Sequence, residues 1–363
     1  MHTVVIAALV SAAAGLALTP RLVDLLRRAD ILDIPNARSS HTQPIPVGGG
    51  LGILVPWLFG MAVVAAVGGF SEAGFPAALS AGAAVLAVLG FVDDRRNLTP
   101  LSRLVVESLV AAACIGAGGL PVFEIELPGF TPLATGSFGW ALSWLFVVGF
   151  TNMFNFMDGI NGLAGFQALL GASALAVWAS LAGDSTLAMA AALLAGSSVG
   201  FLRANFPRAK VFMGDVGSLP LGFLLAMGVL RVQAGAGPVS AAPFWLPLLF
   251  VWPFLGDATY TLLNRAVHRR NPFRPHRSHI YQRLVVAGLS HKHVTLIYAS
   301  AMLACIAAAF VCREHPPLRP YVFWGGLAVT TALMVAIVVR VRASTTQRDG
   351  HGEPAEGGRR PTR

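Results

Sequence analysis

The chain has 363 residues, of which 55% are hydrophobic and only 12% charged, with a mean hydropathy of +0.67. So little polar surface cannot close a soluble globule, and a membrane protein is expected. The net charge of +9 is then read as a signal of orientation in the membrane, with attraction to anionic lipid or nucleotide phosphate as a secondary reading; nothing suggests nucleic acid.

Apolar runs of about 20 residues, the length that crosses a roughly 30 Å hydrocarbon layer, recur with short polar breaks. They are continuous rather than alternating, which excludes a β-barrel. Eleven spans are expected, at about 3–20, 47–69, 75–92, 101–119, 136–154, 161–182, 185–202, 216–233, 241–262, 293–312 and 321–341. The fold class is therefore all-α: a polytopic membrane bundle of about 11 helices forming one domain, residues 1–341. A Gly, Arg, Pro and Glu rich tail, 342–363, is expected to be disordered. The first span lacks a basic leader and its positive charges, Arg21, Arg27 and Arg28, follow the apolar run, so it reads as a retained span. Cys114, Cys305 and Cys312 have neither metal spacing nor a redox pair and read as buried, inert thiols.

Of the 26 basic residues, only Arg231, Arg313 and Arg319 fall outside the loops after odd-numbered spans and the C-terminal tail. Because Lys and Arg collect in cytoplasmic loops, the N-terminus is expected outside and the C-terminus in the cytoplasm of a multi-pass inner (cytoplasmic) membrane protein. The same parity sorts the acids. Asp93 and Asp94 follow span three, Asp158 follows span five, Asp215 follows span seven, and the HRSH run at 276–279 follows span nine. All share the cytoplasmic face, whereas Glu72, Glu124, Glu126, Asp184 and Glu314 are scattered on the other. One water-accessible site at the inner boundary of the membrane is the consequence.

Taken along the chain, the segment DIPNARSSHTQPIPVGGGLGI (33–53) combines Asn36, Arg38 and His41 with three glycines. Such a run can cradle a phosphate or serve as a flexible lead into span two. The dyad Asp93–Asp94 in GFVDDRRNL calls for a divalent cation or a neighbouring Arg; a solvated helix end balanced by Arg95 and Arg96 is the alternative. In NMFNFMDGINGLAG (152–165), two Asn and Asp158 interrupt an apolar run. A carboxylate at the centre of a span costs roughly 2.5 to 3.5 kcal/mol, and even near the end it needs a partner or water. Asn155 can donate to phosphate or sugar oxygens, while Asn161 reads equally as a helix cap. Arg203, Arg208 and Lys210 precede Asp215, where positive-inside bias competes with a phosphate role. In the basic loop 264–284, His276, Arg277 and His279 can hold a diphosphate or a sugar, with a lipid-headgroup patch as the alternative. Glu107 and Asp257, inside spans, read as structural.

Hard oxygen donors without His or Cys favour Mg²⁺, with Mn²⁺ as a substitute, and Mg²⁺ commonly uses one or two carboxylates plus substrate phosphates. A diphosphate substrate is implied.

The ordered motifs PIPVGGGLGI, GFVDDRRNL, NMFNFMDGINGLAG, VFMGDVGSLPLGF and the basic HRSH loop, together covering about residues 33–284, resemble the polyprenyl-phosphate N-acetylhexosamine-1-phosphate transferases. This is glycosyltransferase family 4, related to phospho-N-acetylmuramoyl-pentapeptide transferase. RSSH and PHRSH make the chain look most like the branch that begins O-antigen and related surface polysaccharides, and argue against a muramoyl-pentapeptide donor. The resemblance implies a Mg²⁺-dependent phosphoglycosyl transferase of the EC 2.7.8 class. It would move a sugar 1-phosphate from a UDP-N-acetylhexosamine to undecaprenyl phosphate and release UMP. By resemblance, Asp215 is the foremost Mg²⁺ ligand and Asp158, with Asn155, lies on the nucleotide and metal side. Asp93 and Asp94 position acceptor or metal, and His276, Arg277 and His279 belong to the donor loop. Asn36, His41 and Arg203 complete the candidate substrate contacts. Room for a homodimer is left. A secondary transporter and an inactive lipid-binding relative are the competing classes; one-sided acids and the absence of an internal repeat speak against the first, the intact acidic set against the second.

Overall fold

The computed structural model describes residues 1–35, 43–235, 242–269 and 278–350. The described chain is a helix bundle with two small hairpins. In order it forms α1 (His2–Arg28), β1 (Leu32–Asp33), β2 (Ile45–Pro46), α2 (Leu51–Ala66), α3 (Gly74–Arg96), α4 (Pro100–Gly118), β3 (Glu124–Ile125), β4 (Leu133–Ala134) and α5 (Phe138–Met157). There follow α6 (Leu163–Ala182), α7 (Ser185–Asn205), α8 (Asp215–Ala234), α9 (Trp245–Leu248), α10 (Trp252–Val267), α11 (Ile280–Val286), α12 (His291–Glu314) and α13 (Arg319–Gly350). Among the described residues, nine helices are long and apolar enough to cross a membrane. Of the eleven expected spans, two take another form. The second contains α2, an apolar helix of 16 residues. The ninth is divided into α9 and α10, with Pro253 in the first turn of α10, where a residue without an N–H is tolerated. The break leaves the Phe250 carbonyl without a helical donor, and the Gln167 amide of α6 supplies one at 2.8 Å. Helix α13 continues to Gly350, past the boundary expected at 341. Residues 351–363 lie outside the described residues.

Helix α8 is the axis of the bundle: every residue from Val216 to Leu230 is buried. A helix apolar on all sides must be surrounded, and α2, α3, α5, α6 and α7 pack around it. Small residues set the closest approaches. Gly196 and Gly200 of α7 lie against the α1 backbone at Ala8 and Gly15, and Gly50 lies against Gly217 at the start of α8; a Cβ at any of these positions would meet backbone. Caps set the ends. Thr99 accepts from the Ser102 N–H at α4, with Pro100 in the first turn, and Asp184 accepts from the Leu187 N–H at α7.

At the end of α8 remote from Asp215, Arg231 joins Glu72 at 2.5 Å and Asp184 at 2.6 Å and lies over the Phe75 ring. Two of the acids that look scattered in the sequence are thus bound by one guanidinium.

The triple glycine neither cradles a phosphate nor forms a loose lead into α2. The Gly48 and Gly49 N–H groups donate to the Phe212 carbonyl at 3.2 and 2.7 Å, and the Gly50 N–H donates to Met213 at 3.0 Å. A parallel bridge between Val47 and Phe212 continues this contact. The first polar loop is thereby fastened to the segment that leads into Asp215.

Candidate active site

Asp93 and Asp94 occupy the last turn of α3, Asp158 ends α5, and Asp215 opens α8. Segments far apart in sequence meet here because Gly90 of α3 has no side chain. A Cβ there would collide with the Asp215 carbonyl and the Val216 nitrogen. With the two backbones in contact, the Asp94 carboxylate accepts from the Asp215 N–H at 3.1 Å and the Val216 N–H at 3.3 Å. These are orphan donors at the positive end of a helix, so the carboxylate both satisfies them and opposes the dipole.

The partner of Asp93 is neither Arg95 nor Arg96; Arg95 lies over the Phe91 ring. Asp93 instead accepts from the Leu98 N–H at 2.7 Å and from Arg103 at 2.6 Å. The same Arg103 nitrogen donates to Asp215 at 3.0 Å, and its other terminal nitrogen donates to the Asn155 carbonyl oxygen at 3.3 Å. Asn155 in turn donates to Asp215 and to Ser218, both at 2.7 Å. Next to this network Asn152 donates to Glu107, whose other carboxylate oxygen lies 3.9 Å from Arg103. Arg103 is the hub that sequence reasoning missed. Its signal was present as an Arg103–Glu107 pair four residues apart on an otherwise apolar helix, a spacing that places both on one face.

Asp158 differs from the other three acids. None of the described residues donates a hydrogen bond to its carboxylate, although the turn that carries it is held from several sides. The Asn205 side chain accepts from the Gly162 N–H at 2.5 Å, Thr295 donates to the Asn161 carbonyl at 2.7 Å, and Asn161 donates to the Pro207 carbonyl at 3.1 Å. Asn161 is therefore a tie between loops rather than a cap. Burial, then the nearby charges of Asp215 and Asp94, push the Asp158 carboxyl up to about 7.

All four acids line one open cavity of about 1490 Å³. Its α5 wall is the stripe Leu145, Val148, Gly149, Asn152, Met153 and Phe156. Residues three and four apart share a helix face, and 1.5 Å per residue makes this stripe about 17 Å long. Leu101 and Leu104 of α4 and Leu262, Leu263 and Ala266 of α10 complete an apolar wall. Asp33, Asn161 and Asn205 add further polar lining.

The remaining expected residues divide. Arg203 is exposed and does not line the cavity. His279 is 2% exposed, 3.5 Å from Asp257, with its ring between those of Phe156 and Tyr281, and does not line the cavity either. Asn36, His41, His276 and Arg277 lie outside the described residues. Glu107 is paired with Arg103 and Asn152, while Asp257 caps a helix.

No three His, Cys, Asp or Glu side chains among the described residues could by themselves enclose a metal ion. The donor chemistry nevertheless suits Mg²⁺: no described residue donates to Asp158, Asp215 lies close enough to raise it, and Mg²⁺ keeps water and phosphate oxygens for the rest of its shell.

A family model described as "Glycosyl transferase family 4" matches residues 76–233, which contain every acid of this cluster. The chain is 31% identical, over 85% of its length and 85% of the relative's, to the probable undecaprenyl-phosphate N-acetylglucosaminyl 1-phosphate transferase of Bacillus subtilis strain 168. The chain belongs to the polyprenyl-phosphate N-acetylhexosamine-1-phosphate transferase family. Another relative of this transferase is the decaprenyl-phosphate N-acetylglucosaminephosphotransferase of Mycolicibacterium smegmatis, 30% identical over 88% of this chain and 84% of that one. The undecaprenyl-phosphate alpha-N-acetylglucosaminyl 1-phosphate transferase of Escherichia coli K12 is 27% identical over 77% and 76%. The matched residues of this transferase run from the first turn of α3 to the last turn of α8 and supply most of the cavity lining, to which the first polar loop and α10 add the rest.

Proposed function

We propose that the protein transfers an N-acetylhexosamine 1-phosphate from a UDP-sugar to undecaprenyl phosphate, releasing UMP, at the cytoplasmic face of the inner membrane. One observation carries this reading: a single cavity joins a cluster of carboxylates and an Arg to an apolar wall about 17 Å long on α5. A water-borne diphosphate and a membrane-borne isoprenoid phosphate need those two surfaces side by side. The distribution of Lys and Arg supports the cytoplasmic orientation, with the N-terminus outside.

In this reading the isoprenoid follows the groove between α4, α5 and α10, and its phosphate reaches the acid cluster at the groove's end. An oxygen of that phosphate attacks the sugar-proximal phosphorus of the donor; the new P–O bond forms as the bond to the bridging oxygen breaks, and the electron pair leaves on UMP. Phosphate monoesters are already largely ionised near neutral pH, so no protein base is required. Asp94 and Asp93 shape the site by holding the ends of α8, α3 and α4, and Arg103 supplies positive charge beside the transferring group. Asp158 and Asp215 are the residues that would hold Mg²⁺. When bound, the ion offsets the diphosphate charge and favours departure of UMP. The product would begin O-antigen or a related surface polysaccharide.

The test is UMP release in detergent from a panel of UDP-sugars with undecaprenyl phosphate and Mg²⁺. Release with a UDP-N-acetylhexosamine, dependent on the lipid phosphate, is the expected result. Absence of release with every donor, together with solute uptake into vesicles, would overturn it.

A further inference from the structure

Outside the acid cluster lies a second buried polar assembly that the reaction described above does not use. Asp257 of α10 is 1% exposed and accepts four hydrogen bonds. Two come from the first turn of α11, the Ile280 N–H at 2.8 Å and the Tyr281 N–H at 3.1 Å; two come from side chains, Tyr298 of α12 at 2.6 Å and Thr261 at 3.2 Å. A seven-residue helix is too short to hold itself together in isolation, so its position is set by this carboxylate. From α11 the Tyr281 side chain, 1% exposed, reaches the end of α5. Its hydroxyl donates to the Phe156 carbonyl at 3.1 Å and fills the space that a Cβ on Gly159 would need. Phe156 and Gly159 bracket Asp158.

We propose that Asp257 and Tyr281 are positioning residues for Asp158. Asp257 fixes α11, α11 carries Tyr281, and Tyr281 holds the backbone on both sides of the one carboxylate of the cluster to which no described residue donates. The need for such a device follows from the geometry. Asp93, Asp94 and Asp215 are aligned by hydrogen bonds to their own oxygens, whereas among the described residues only its backbone directs Asp158. Because α11 directly follows the basic loop, the same strut makes the placement of Asp158 depend on where that loop ends. The inference rests on the proposed transferase reading for its kinetic consequence, but not for its structural one.

The experiment uses the full-length protein in detergent with Tyr281→Phe, which removes one hydroxyl and keeps the ring, and with Asp257→Asn as a second variant. Hydrogen–deuterium exchange of the amides at 157–163 is measured alongside turnover. In Tyr281→Phe, exchange there rises at least tenfold while α8 is unchanged, and kcat falls at least tenfold with the KM for undecaprenyl phosphate within twofold. Asp257→Asn gives the same pattern, with α11 also exchanging faster. A merely structural role predicts faster exchange throughout and a lower unfolding temperature, with normal kcat in the molecules that remain folded. Unchanged exchange at 157–163, or faster exchange there with normal kcat, would overturn the proposal. If the unsubstituted protein releases no UMP from any donor, the transferase reading fails separately, and the exchange measurement alone decides the strut.

Discussion

Asp94 and Asp215, 121 residues apart, are joined by a 3.1 Å hydrogen bond from the Asp215 backbone N–H to the Asp94 carboxylate. The second acid of one motif is thus the cap of the helix that presents the acid of another. This arrangement predicts separable effects. Asp94→Ala lowers stability by about 1–2 kcal/mol, as loss of a helix cap does, and abolishes turnover. Asp94→Asn keeps one acceptor oxygen and is expected to recover about half of the stability but little activity. Thermal unfolding in detergent and UMP release distinguish the two.

Gly90 permits that bond, and its replacement is the sharpest test of the packing. Gly90→Ala drives a methyl group into the Asp215 backbone and is expected to lower activity at least a hundredfold and to lower the unfolding temperature. Gly116→Ala, with open space around its Cα, serves as the control; it leaves activity unchanged and adds about 0.5–1 kcal/mol of helix stability. Equal behaviour of the two variants would separate the α3–α8 contact from the chemistry.

Arg103 touches Asp93, Asp215 and Asn155 through two nitrogens. Lys offers a single charged point and cannot span them. Arg103→Lys is expected to lose at least tenfold in kcat while remaining folded. Arg103→Met leaves the carboxylates without their cation, costs about 3 kcal/mol of stability and is inactive. Turnover of Arg103→Lys at the unsubstituted rate would show that one positive charge suffices.

The Asp158 carboxyl, raised to about 7 by burial and then by Asp215 and Asp94, makes metal-free stability depend on pH. Between about pH 4 and pH 7 the folded protein holds a proton that the unfolded chain releases, so stability falls as pH rises through this window and levels off above it. Asp158→Asn removes the effect. In metal-free detergent it is expected to unfold at a higher temperature than the unsubstituted protein at pH 8, with the difference vanishing near pH 4. It is also expected to be inactive at every pH.

Gly149 faces the groove with nothing within 4 Å of where its Cβ would stand. Gly149→Phe therefore fits without distorting α5 and obstructs the apolar wall. The expected outcome is at least a tenfold increase in KM for undecaprenyl phosphate with the KM of the sugar donor within twofold. Steady-state kinetics with each substrate varied in turn provides the check.

Much of this was legible in the sequence because the information was local. Runs of about 20 apolar residues specify membrane helices wherever they occur, and alternation of faces along the chain puts the loops with Asp93, Asp94, Asp158 and Asp215 on one side. All four acids line one cavity. The motifs likewise pointed to the family. The polar residues of α4 and the first glycine run were harder to read. Arg103 looks like one more basic residue at a membrane boundary, and Gly48 to Gly50 read equally as a phosphate cradle or a flexible lead into a span, until their partners across the bundle are known.

What the sequence determined by itself was the solvent in which the chain folds, the helices it forms and the residue types gathered at one boundary. Tertiary structure alone decided which carboxylates are consumed and which is left open. Asp94 is spent on α8, Asp257 on α11, Asp93 on Arg103, and Asp158 lines the cavity with no donor among the described residues. The physical reason is that every one of these assignments is a hydrogen bond between helices, satisfied by whichever donor the packing brings within about 3 Å. Helix periodicity fixes the face a side chain occupies, but the neighbour it meets there depends on Gly90, Gly50 and Gly217 letting backbones touch.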